Sequence, residues 1–329
     1  MNDHYPKFFD DFIDKTVFLS YNQIGYALRQ KQWRASDLAV DLTGQVCLVT
    51  GANAGLGYTT TQQLAQRGAT VYMVARNQAK GAAAQAEIIE QTGNPNVHLE
   101  IADLSRLSDI RALVERLQQA IPRLDILINN AGVLLEDRQL SADGFEMIFA
   151  TNILGPFLLT NLLIPLMKKS APARIISVSS GGMYTRKVNV DDLQFETEPF
   201  GGVIAYAQSK RAQVILTELW AERLAGSGVT ANSMHPGWVR TPGLLGALPT
   251  FSSLMSRLLR TPEQGVDTII WLAMAPHLET ESGKFWFDRK VRPTHKTNQT
   301  KLSTEERAKL WQQCVELSGL TPSEMAGAK

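Results

Sequence analysis

Short apolar runs rich in β-branched residues alternate with longer helical patterns over most of the chain, and this alternation constrains the fold more than any other feature. Strands that helices cover on both faces are apolar at nearly every position, so the runs favour a parallel sheet built from strand–helix–strand units. The predicted strands are Val46–Thr50, Thr70–Ala75, Val97–Ile101, Leu124–Ile128, Arg174–Val178, Val229–Met234 and Gly283–Phe287. The sequence therefore predicts an α/β fold with a doubly wound parallel sheet of about seven strands and helices on both faces.

Helical patterns fill the intervals between these runs and continue beyond the last one. Thr261 before Pro262 is a typical helix-start signal. The predicted helices are Tyr58–Arg67, Gln78–Thr92, Ser105–Ala120, Phe145–Lys169, Ala205–Ala225, Pro262–Met274 and Thr304–Leu317. We expect three parts: an N-terminal amphipathic appendage at residues 1–43, a main α/β domain at 44–294 and a C-terminal helical tail at 295–329.

Charge and cysteine content exclude several classes of protein. The 33 Lys and Arg against 32 Asp and Glu give a net charge of +1 without a long block of one sign, so no nucleic-acid partner is expected. Cys47 and Cys314 lie far apart, and His235 and His295 have no partner at metal-ligand spacing, so we predict no metal site and no disulfide framework. This cysteine usage favours a reducing compartment such as the cytoplasm.

Targeting and membrane-spanning signals are weak. The first residues, MNDHYPKFFDDFIDK, carry acids where a signal peptide needs a basic region followed by an apolar one. The most apolar stretch, Ile153 to Met167, is shorter than the roughly 20 residues of a spanning helix and contains Asn161 and prolines. We therefore predict neither a signal peptide nor a transmembrane helix.

A glycine-rich turn joins the first strand to the first helix of the sheet. It reads Thr50-Gly51-Ala52-Asn53-Ala54-Gly55-Leu56-Gly57. Glycines at these positions allow a tight turn and close approach to a pyrophosphate, which the N–H groups of the following helix attract. The turn alone could also be an ordinary strand-to-helix connection, but its position between a strand and a helix favours a dinucleotide site.

The second strand ends in Val74-Ala75-Arg76-Asn77, where an NAD-binding chain carries an acid for the ribose 2′-hydroxyl. Arg76 can instead pair with the 2′-phosphate of NADP, and the missing carboxylate removes a repulsion. We therefore predict NADP(H) in preference to NAD(H). The alternative is that Arg76 is only a solvated residue at the start of a helix.

A tyrosine and a lysine lie one helical turn apart in Tyr206-Ala207-Gln208-Ser209-Lys210. An ammonium near a phenol lowers the phenol pKa, which prepares Tyr206 to exchange a proton with a carbonyl or an alcohol. Such pairs also occur by chance on helices, so the motif by itself leaves a structural role open.

Together these motifs resemble those of the short-chain dehydrogenase/reductase superfamily, over about residues 44–290. The fourth strand ends in Asn129-Asn130-Ala131-Gly132, and Thr151-Asn152-Ile153-Leu154-Gly155 lies in a helix. The fifth strand ends in Ser177-Val178-Ser179-Ser180, and His235-Pro236-Gly237-Trp238-Val239-Arg240-Thr241 follows the sixth. All of them stand in the order that the family has, which implies a Rossmann-type NAD(P)-binding oxidoreductase domain.

The resemblance implies a catalytic tetrad of Asn152, Ser180, Tyr206 and Lys210. Tyr206 would exchange a proton with the substrate oxygen, Ser180 would polarise that oxygen, and Lys210 would bind the ribose hydroxyls of the cofactor. Asn152 would keep a water that links Lys210 to solvent. Ser180 is preferred to Ser179 by its place in the motif. The residues implied to bind the cofactor are Thr50, Gly51, Asn53, Gly55, Leu56, Gly57, Arg76, Asp103, Leu104, Asn130, Ala131, Gly132, Tyr206, Lys210, Pro236, Gly237 and Thr241.

One departure from the common pattern is the distance of 26 positions from Ser180 to Tyr206, about twice the usual gap. An insertion at 181–204 is therefore expected to loop out near the site. The longer gap is similar to that of the retinol-dehydrogenase-like members, and Val178 to Met183 and Phe287 to Lys290 resemble the dehydrogenase/reductase family member 12 group. The resemblance also leaves a homo-oligomer open.

The surroundings of the site suggest a lipophilic substrate. Apolar residues dominate the segment 242–259, which is expected to overhang the carboxyl edge of the sheet; they could equally pack on the core or on a neighbouring subunit. The first 26 residues contain seven of the 25 aromatic residues, and Tyr5, Phe8, Phe9, Phe12 and Ile13 follow helical spacing. This segment could contact a membrane surface, or pack on its own domain or a second subunit.

The sequence is compatible with two functions. The first is an NADP(H)-dependent oxidoreductase that interconverts a carbonyl and an alcohol on a lipophilic small molecule, with Tyr206 as the general acid and base. The alternative is an NADPH-binding redox sensor or interaction protein with incidental turnover. The complete tetrad favours the enzyme.

Overall fold

A computed structural model describes residues 14, 16–247 and 249–327. Its eight strands form one sheet in the order β3-β2-β1-β4-β5-β6-β7-β8, in which β1 to β7 are parallel and β8 is antiparallel to β7. The strands are β1 Val46–Thr50, β2 Thr70–Ala75, β3 Val97–Ile101, β4 Ile126–Asn129, β5 Ala173–Val178, β6 Val229–Met234, β7 Phe285–Phe287 and β8 Lys290–Arg292. The doubly wound α/β fold is confirmed.

The eighth strand is an addition to the predicted sheet. A tight turn reverses the chain after β7, and both Asp288 and Arg289 in that turn have positive φ, at 51° and 56°. β8 has three residues, of which Lys290 and Val291 are exposed. A strand this short and polar carries no alternating pattern that a sequence reading could detect.

Twelve α-helices surround the sheet in the described residues. They are α1 Val17–Tyr21, α2 Gln23–Gln30, α3 Gly55–Ala65, α4 Gln78–Thr92, α5 Leu107–Ala120, α6 Met147–Lys169, α7 Gly202–Arg223, α8 Pro242–Ala247, α9 Pro249–Leu254, α10 Pro262–Met274, α11 Thr304–Ser318 and α12 Pro322–Gly327. The bounds of α4 and α10 match the sequence prediction. The Thr261 side chain accepts from the Gln264 backbone N–H, and Gln264 accepts from the Thr261 N–H, a capping box that fixes the start of α10.

Apolar side chains fill both faces of the sheet. On one face lie helices α5, α6, α7 and α11, whose core residues include Leu113, Phe157 and Leu216. On the other face lie α3, α4 and α10, represented by Leu64, Ile88 and Ile269. This burial explains why β1 is apolar at every position but its last: all five of its residues are buried.

The segment before β1 and the helices after β8 pack on the main domain. In α11, Trp311 lies 4.9 Å from the Phe157 ring of α6 and 6.3 Å from Trp220 of α7, between ring centroids. At the other end of the chain, the Gln23 backbone N–H donates to the Leu258 carbonyl at 3.0 Å. The aromatic residues Tyr5 to Phe12 and Ile13 lie outside the described residues.

Helix α6 is long and apolar enough to cross a membrane by length and hydropathy alone. It has 23 residues and a window of mean hydropathy 1.7, of which 83% is buried inside the protein. Its apolar side chains, such as Phe157 and Leu163, belong to the core on one face of the sheet. Burial in the core accounts for its composition.

Candidate active site

The glycine-rich turn lies where the strand order reverses, since β1 has β2 on one side and β4 on the other. In doubly wound sheets this is the place where ligands bind. Gly51 and Gly55 have positive φ, at 65° and 53°. A Cβ on Gly57 would collide with the carbonyl oxygen of Gly51, so only glycine lets α3 start so close to the turn. Ala54 at the N-cap offers no side-chain acceptor, which leaves the first N–H groups of α3 for an anion.

Thr50 and Asn130 tie the ends of β1 and β4 together. The Thr50 hydroxyl accepts from the backbone N–H groups of Asn130 and Ala131, each at 3.0 Å, and the Asn130 side chain donates to the Thr50 carbonyl at 2.8 Å. Thr50 is fully buried. These two predicted cofactor residues therefore act by shaping the turn, while Asn53 stands half-buried within it.

Asn152 lies in a π-helical turn, Ala150–Leu154, inside α6. Such turns are common at functional sites because they displace a side chain from the regular helix. Both ends of the Asn152 amide bind the Val133 backbone: Oδ1 accepts from the N–H at 2.8 Å and Nδ2 donates to the carbonyl at 3.0 Å. A Cβ on Gly132 would lie 3.3 Å from Asn152 Oδ1 and 3.2 Å from Lys210 Nζ, so glycine leaves room for both side chains.

Tyr206 and Ser180 come together although they are 26 positions apart. Tyr206 lies in the first half of α7, and Ser180 follows β5 and accepts from the Gly182 N–H at 3.2 Å. Burial raises the pKa of the Tyr206 phenol, and a hydrogen bond with the Ser180 side chain opposes that rise. The predicted lowering of this pKa by Lys210 is not found. Burial outweighs that lowering, because both the phenol and the ammonium of Lys210 beside it are desolvated.

Lys210 is buried one turn further along α7. Its Nζ lies 5.5 Å from the centroid of the Tyr206 ring and donates to the Val178 carbonyl at 3.0 Å and to Gln213 Oε1 at 3.1 Å. Burial lowers the pKa of Lys210 to about 7. The ammonium has three N–H donors, so these two acceptors leave one for a hydroxyl of a bound molecule.

The loop after β6 closes over the glycine-rich turn. A Cβ on Gly55 would lie 3.4 Å from the Thr241 side chain, which places Thr241 against the turn. Arg260 packs against Pro236 and Gly237, and its Nη1 donates to the Pro236 carbonyl at 3.2 Å. Leu56 packs toward Gly265 of α10, which orients the first turn of α3.

Two predicted cofactor contacts lie at the ends of β2 and β3. Arg76 is exposed and makes no hydrogen bond or ion pair with the part of the chain that the structure describes. The Asp103 carboxylate accepts from the backbone and the hydroxyl of Ser105, at 2.9 and 2.7 Å. The Leu104 carbonyl lies so close to Gly155 of α6 that a Cβ there would collide with it.

The N-terminal segment lies beside the active site, which the sequence did not predict. Tyr21 of α1 packs on Gly181, the residue after Ser180, so closely that a Cβ on Gly181 would collide with its ring. The same ring lies 4.5 Å from His235 and 5.8 Å from Trp238, between centroids. The Trp238 N–H donates to the Tyr21 carbonyl at 2.7 Å. The segment therefore lines the loop after β6, and His235 is a structural residue buried between rings.

A buried ion cluster joins this segment to the main domain. Asp288 in the β7–β8 turn accepts from Arg29 of α2 at 2.8 Å and from both terminal nitrogens of Arg260 at 2.6 and 2.8 Å. All three side chains are nearly inaccessible to solvent. The Arg260 guanidinium also donates to the Ser20 carbonyl at 3.0 Å. No motif signals this cluster, because its members come from three distant segments.

A doubly wound sheet, a glycine-rich turn at its switch point and a Tyr–Lys pair beside a serine define a Rossmann-type oxidoreductase. Comparison with known proteins gives the family. The short chain dehydrogenase profile matches residues 45–246. The chain belongs to the short-chain dehydrogenase/reductase family, which implies a nicotinamide cofactor.

Two curated relatives cover most of the chain. It is 44% identical over 276 residues to dehydrogenase/reductase SDR family member 12 of Bos taurus, which covers 84% of this chain and 86% of that protein. It is 40% identical over 286 residues to retinol dehydrogenase 12 of Homo sapiens, with 85% and 88% covered. Among solved structures, a short chain dehydrogenase from Shigella flexneri in complex with NADP is 26% identical, with a TM-score of 0.63 and coverage of 76% and 98%.

Proposed function

We propose that this protein is an NADP(H)-dependent oxidoreductase that interconverts a carbonyl and an alcohol on a lipophilic small molecule. The observation that carries the proposal is the group formed by Tyr206, Ser180 and Lys210 at the carboxyl edge of the sheet, beside the glycine-rich turn. The nicotinamide cofactor supplies or accepts the hydride when it is bound. The chain supplies binding, orientation and the proton.

Tyr206 exchanges the proton with the substrate oxygen. Burial keeps its pKa raised, so the phenol carries its proton at neutral pH, which suits donation to a carbonyl during reduction. Ser180 hydrogen-bonds the same oxygen and polarises it. Lys210 binds a cofactor hydroxyl with its remaining N–H, and Asn152 maintains the wall formed with Gly132.

The glycine-rich turn and the N-terminal end of α3 hold the pyrophosphate, and Arg76 selects the 2′-phosphate of NADP. Arg76 is exposed at the end of β2 and is not committed to a partner within the described residues, so its guanidinium is available to a phosphate. The NADP bound to the Shigella relative supports this preference. Replacing Arg76 with Asp is expected to raise the KM for NADPH by about 10- to 100-fold, because a hydrogen bond to a charged group is lost. The catalytic efficiency with NADH is expected to rise relative to that with NADPH.

A lipophilic substrate agrees with the residues beside the site. Met255 and Leu259 of the segment after the β6 loop are buried in the domain, whereas Leu245 and Leu254 remain exposed, at 43% and 84%. Apolar surface therefore stays available at the edge where ligands enter such folds. The retinol dehydrogenase relative, by its name, acts on a lipophilic alcohol of this kind.

The test is oxidation of NADPH, with NADH in parallel, against aldehydes and ketones of increasing chain length and ring size. Tyr206→Phe is expected to lower kcat by about 100- to 10,000-fold, the usual contribution of a general acid. Tyr58→Phe is the matched control, since the Tyr58 hydroxyl of α3 hydrogen-bonds only to the α4 side chains of Gln91 and Glu87 within the described residues. Clear NADPH binding without turnover of any substrate would favour the sensor function instead. Equal activity of Tyr206→Phe and the parent would refute the role of Tyr206.

We also propose that residues 44–294 form the catalytic unit, on which the N- and C-terminal parts pack, and that the protein resides in the cytoplasm or at its membrane surfaces. Both cysteines, Cys47 and Cys314, are free and buried, in keeping with a reducing compartment. Cell fractionation of the full chain tests the location. Recovery in a secreted or lumenal fraction would contradict it.

A further inference from the structure

We infer that Gln213 is a positioning residue of the active site: its side-chain amide joins Lys210 Nζ to the backbone carbonyl of Asn152 and thereby holds the ammonium beside Tyr206. The inference rests on the proposed function for the roles of Tyr206 and Lys210. The contact itself is independent of those roles. Gln213 lies on α7, three residues after Lys210, and is buried.

The amide has one orientation that satisfies both neighbours. The Asn152 carbonyl can only accept a hydrogen bond, and the Lys210 ammonium can only donate. Gln213 Nε2 therefore donates to Asn152 O, at 2.8 Å, and Gln213 Oε1 accepts from Lys210 Nζ, at 3.1 Å. Neither a methionine nor a leucine of similar size could make either bond.

The Asn152 carbonyl can accept a hydrogen bond from Gln213 because the sequence removes its usual helical donor. In an α-helix it would accept from the residue four positions later, and that residue is Pro156, which has no N–H. The π turn, Ala150–Leu154, further disrupts the regular bonding at this point. A carbonyl left without a partner in this buried helix would be costly, and the Gln213 amide removes that cost.

The resemblance to the family implied a water, kept by Asn152, that links Lys210 to solvent. In this chain the Gln213 side chain joins the Asn152 carbonyl directly to Lys210. It places Lys210 Nζ between two fixed acceptors, Gln213 Oε1 and the Val178 carbonyl at 3.0 Å. The ammonium is thus positioned from α7 and from the end of β5 at once.

The same contact affects protonation of Lys210. Burial lowers the pKa of this lysine, and no acidic side chain faces it within the described residues; Tyr206 is the titratable group beside it. An acceptor oxygen stabilises the charged form of an amine, so Gln213 opposes the effect of burial. Without Gln213, the ammonium would lose its proton at a lower pH, and Tyr206 would lose the positive charge that favours its phenolate.

The decisive experiment measures the Lys210 titration directly, by NMR of protein labelled with ¹³C at lysine Cε, with Lys210→Arg to assign the signal. In Gln213→Met the proton-binding constant of Lys210 is expected to weaken about tenfold, because a hydrogen bond to a charged group is removed. In Gln213→Glu it is expected to strengthen, because a carboxylate replaces the amide oxygen. The control is Gln85→Met, which removes a hydrogen bond from Gln85 of α4 to the Val97 carbonyl of β3 and should leave the Lys210 titration unchanged.

Kinetics supply the second readout. For alcohol oxidation, the rise of kcat with pH is expected to move to higher pH in Gln213→Met and to stay near that of the parent in Gln85→Met. A Lys210 titration that is the same in Gln213→Met and the parent would overturn the inference. A shifted titration in a protein without turnover would retain the inference and count against the proposed function alone.

Discussion

Replacing Asp288 with Asn tests how the N-terminal segment is held. Asp288 has a positive φ of 51°, a conformation that Asn adopts more readily than most residues, so the substitution removes the charge without backbone strain. It leaves two buried guanidiniums, those of Arg29 and Arg260, without their shared carboxylate. Both guanidiniums also lie over the Phe287 ring, at 5.0 and 4.8 Å from its centroid, where water has little access to them.

The expected loss in the free energy of unfolding follows from the burial of the three charged side chains. The Asp288 side chain is 2% exposed, and those of Arg29 and Arg260 are 4% and 1% exposed. Removing one partner of such a buried ion pair typically costs about 3–5 kcal/mol, because the carboxylate that balances the two buried positive charges is lost. The free energy of unfolding at pH 7, from urea denaturation, should fall by that amount. Glu100→Gln is the control: its partner Arg116 is 46% exposed, so breaking that ion pair should cost at most about 1 kcal/mol.

The dependence on pH gives a second check. The two guanidiniums hold the pKa of Asp288 below its ordinary value in the folded protein, despite burial, which opposes them. The carboxylate therefore contributes stability above the unfolded pKa of about 3.9, and this contribution is lost as the pH falls through the lower folded value. The difference between parent and Asp288→Asn should be constant from pH 7 to about 5 and shrink in stronger acid. A loss no larger than that of Glu100→Gln, at any pH, would refute the reasoning.

Two further changes test the cofactor turn and the C-terminal helix. Gly57→Ala should abolish NADPH binding measured by fluorescence, because its Cβ collides with the Gly51 carbonyl, whereas Gly246→Ala, whose Cβ meets nothing within 4 Å, should bind as the parent does. Trp311→Ala should lower the free energy of unfolding by about 3–5 kcal/mol, since the indole is buried against Phe157. A cost near zero would show that α11 does not belong to the core.

The sequence predicted the elements whose signal is local. Strands β1, β2 and β4 are apolar at all but one position each. The Thr261 capping box and the glycines at 51, 55 and 57 are likewise visible within a few residues of sequence. The Tyr206–Lys210 pair was visible for the same reason, because both residues lie on one helix. The pKa of Tyr206 was not predictable, since it depends on burial that only the fold creates.

The residues that the sequence did not reveal act over long distances in the chain. Gln213 is a single amide side chain in a helix of 22 residues, and its role depends on the carbonyl of Asn152, 61 positions earlier. Arg29 and Asp288 are separated by 259 positions. Polar contacts of this kind leave no periodicity, because each partner is a single residue in its own segment. Pro156 was the one available clue, since a proline near the start of a buried helix leaves a carbonyl that something else must satisfy.

The N-terminal segment shows what such long-range contacts change in practice. The sequence leaves the binding partner of this segment open, and deletion of residues 1–43 is the simplest experiment for separating recruitment from catalysis. In the structure that segment carries Tyr21, which packs on Gly181 beside Ser180, and Arg29, which pairs with Asp288. The deletion would therefore disturb the active site and any recruitment surface together. Substitutions at exposed positions of the described part of the segment, such as Val17 at 44% and Ile24 at 42%, leave the buried contacts intact and can separate the two roles.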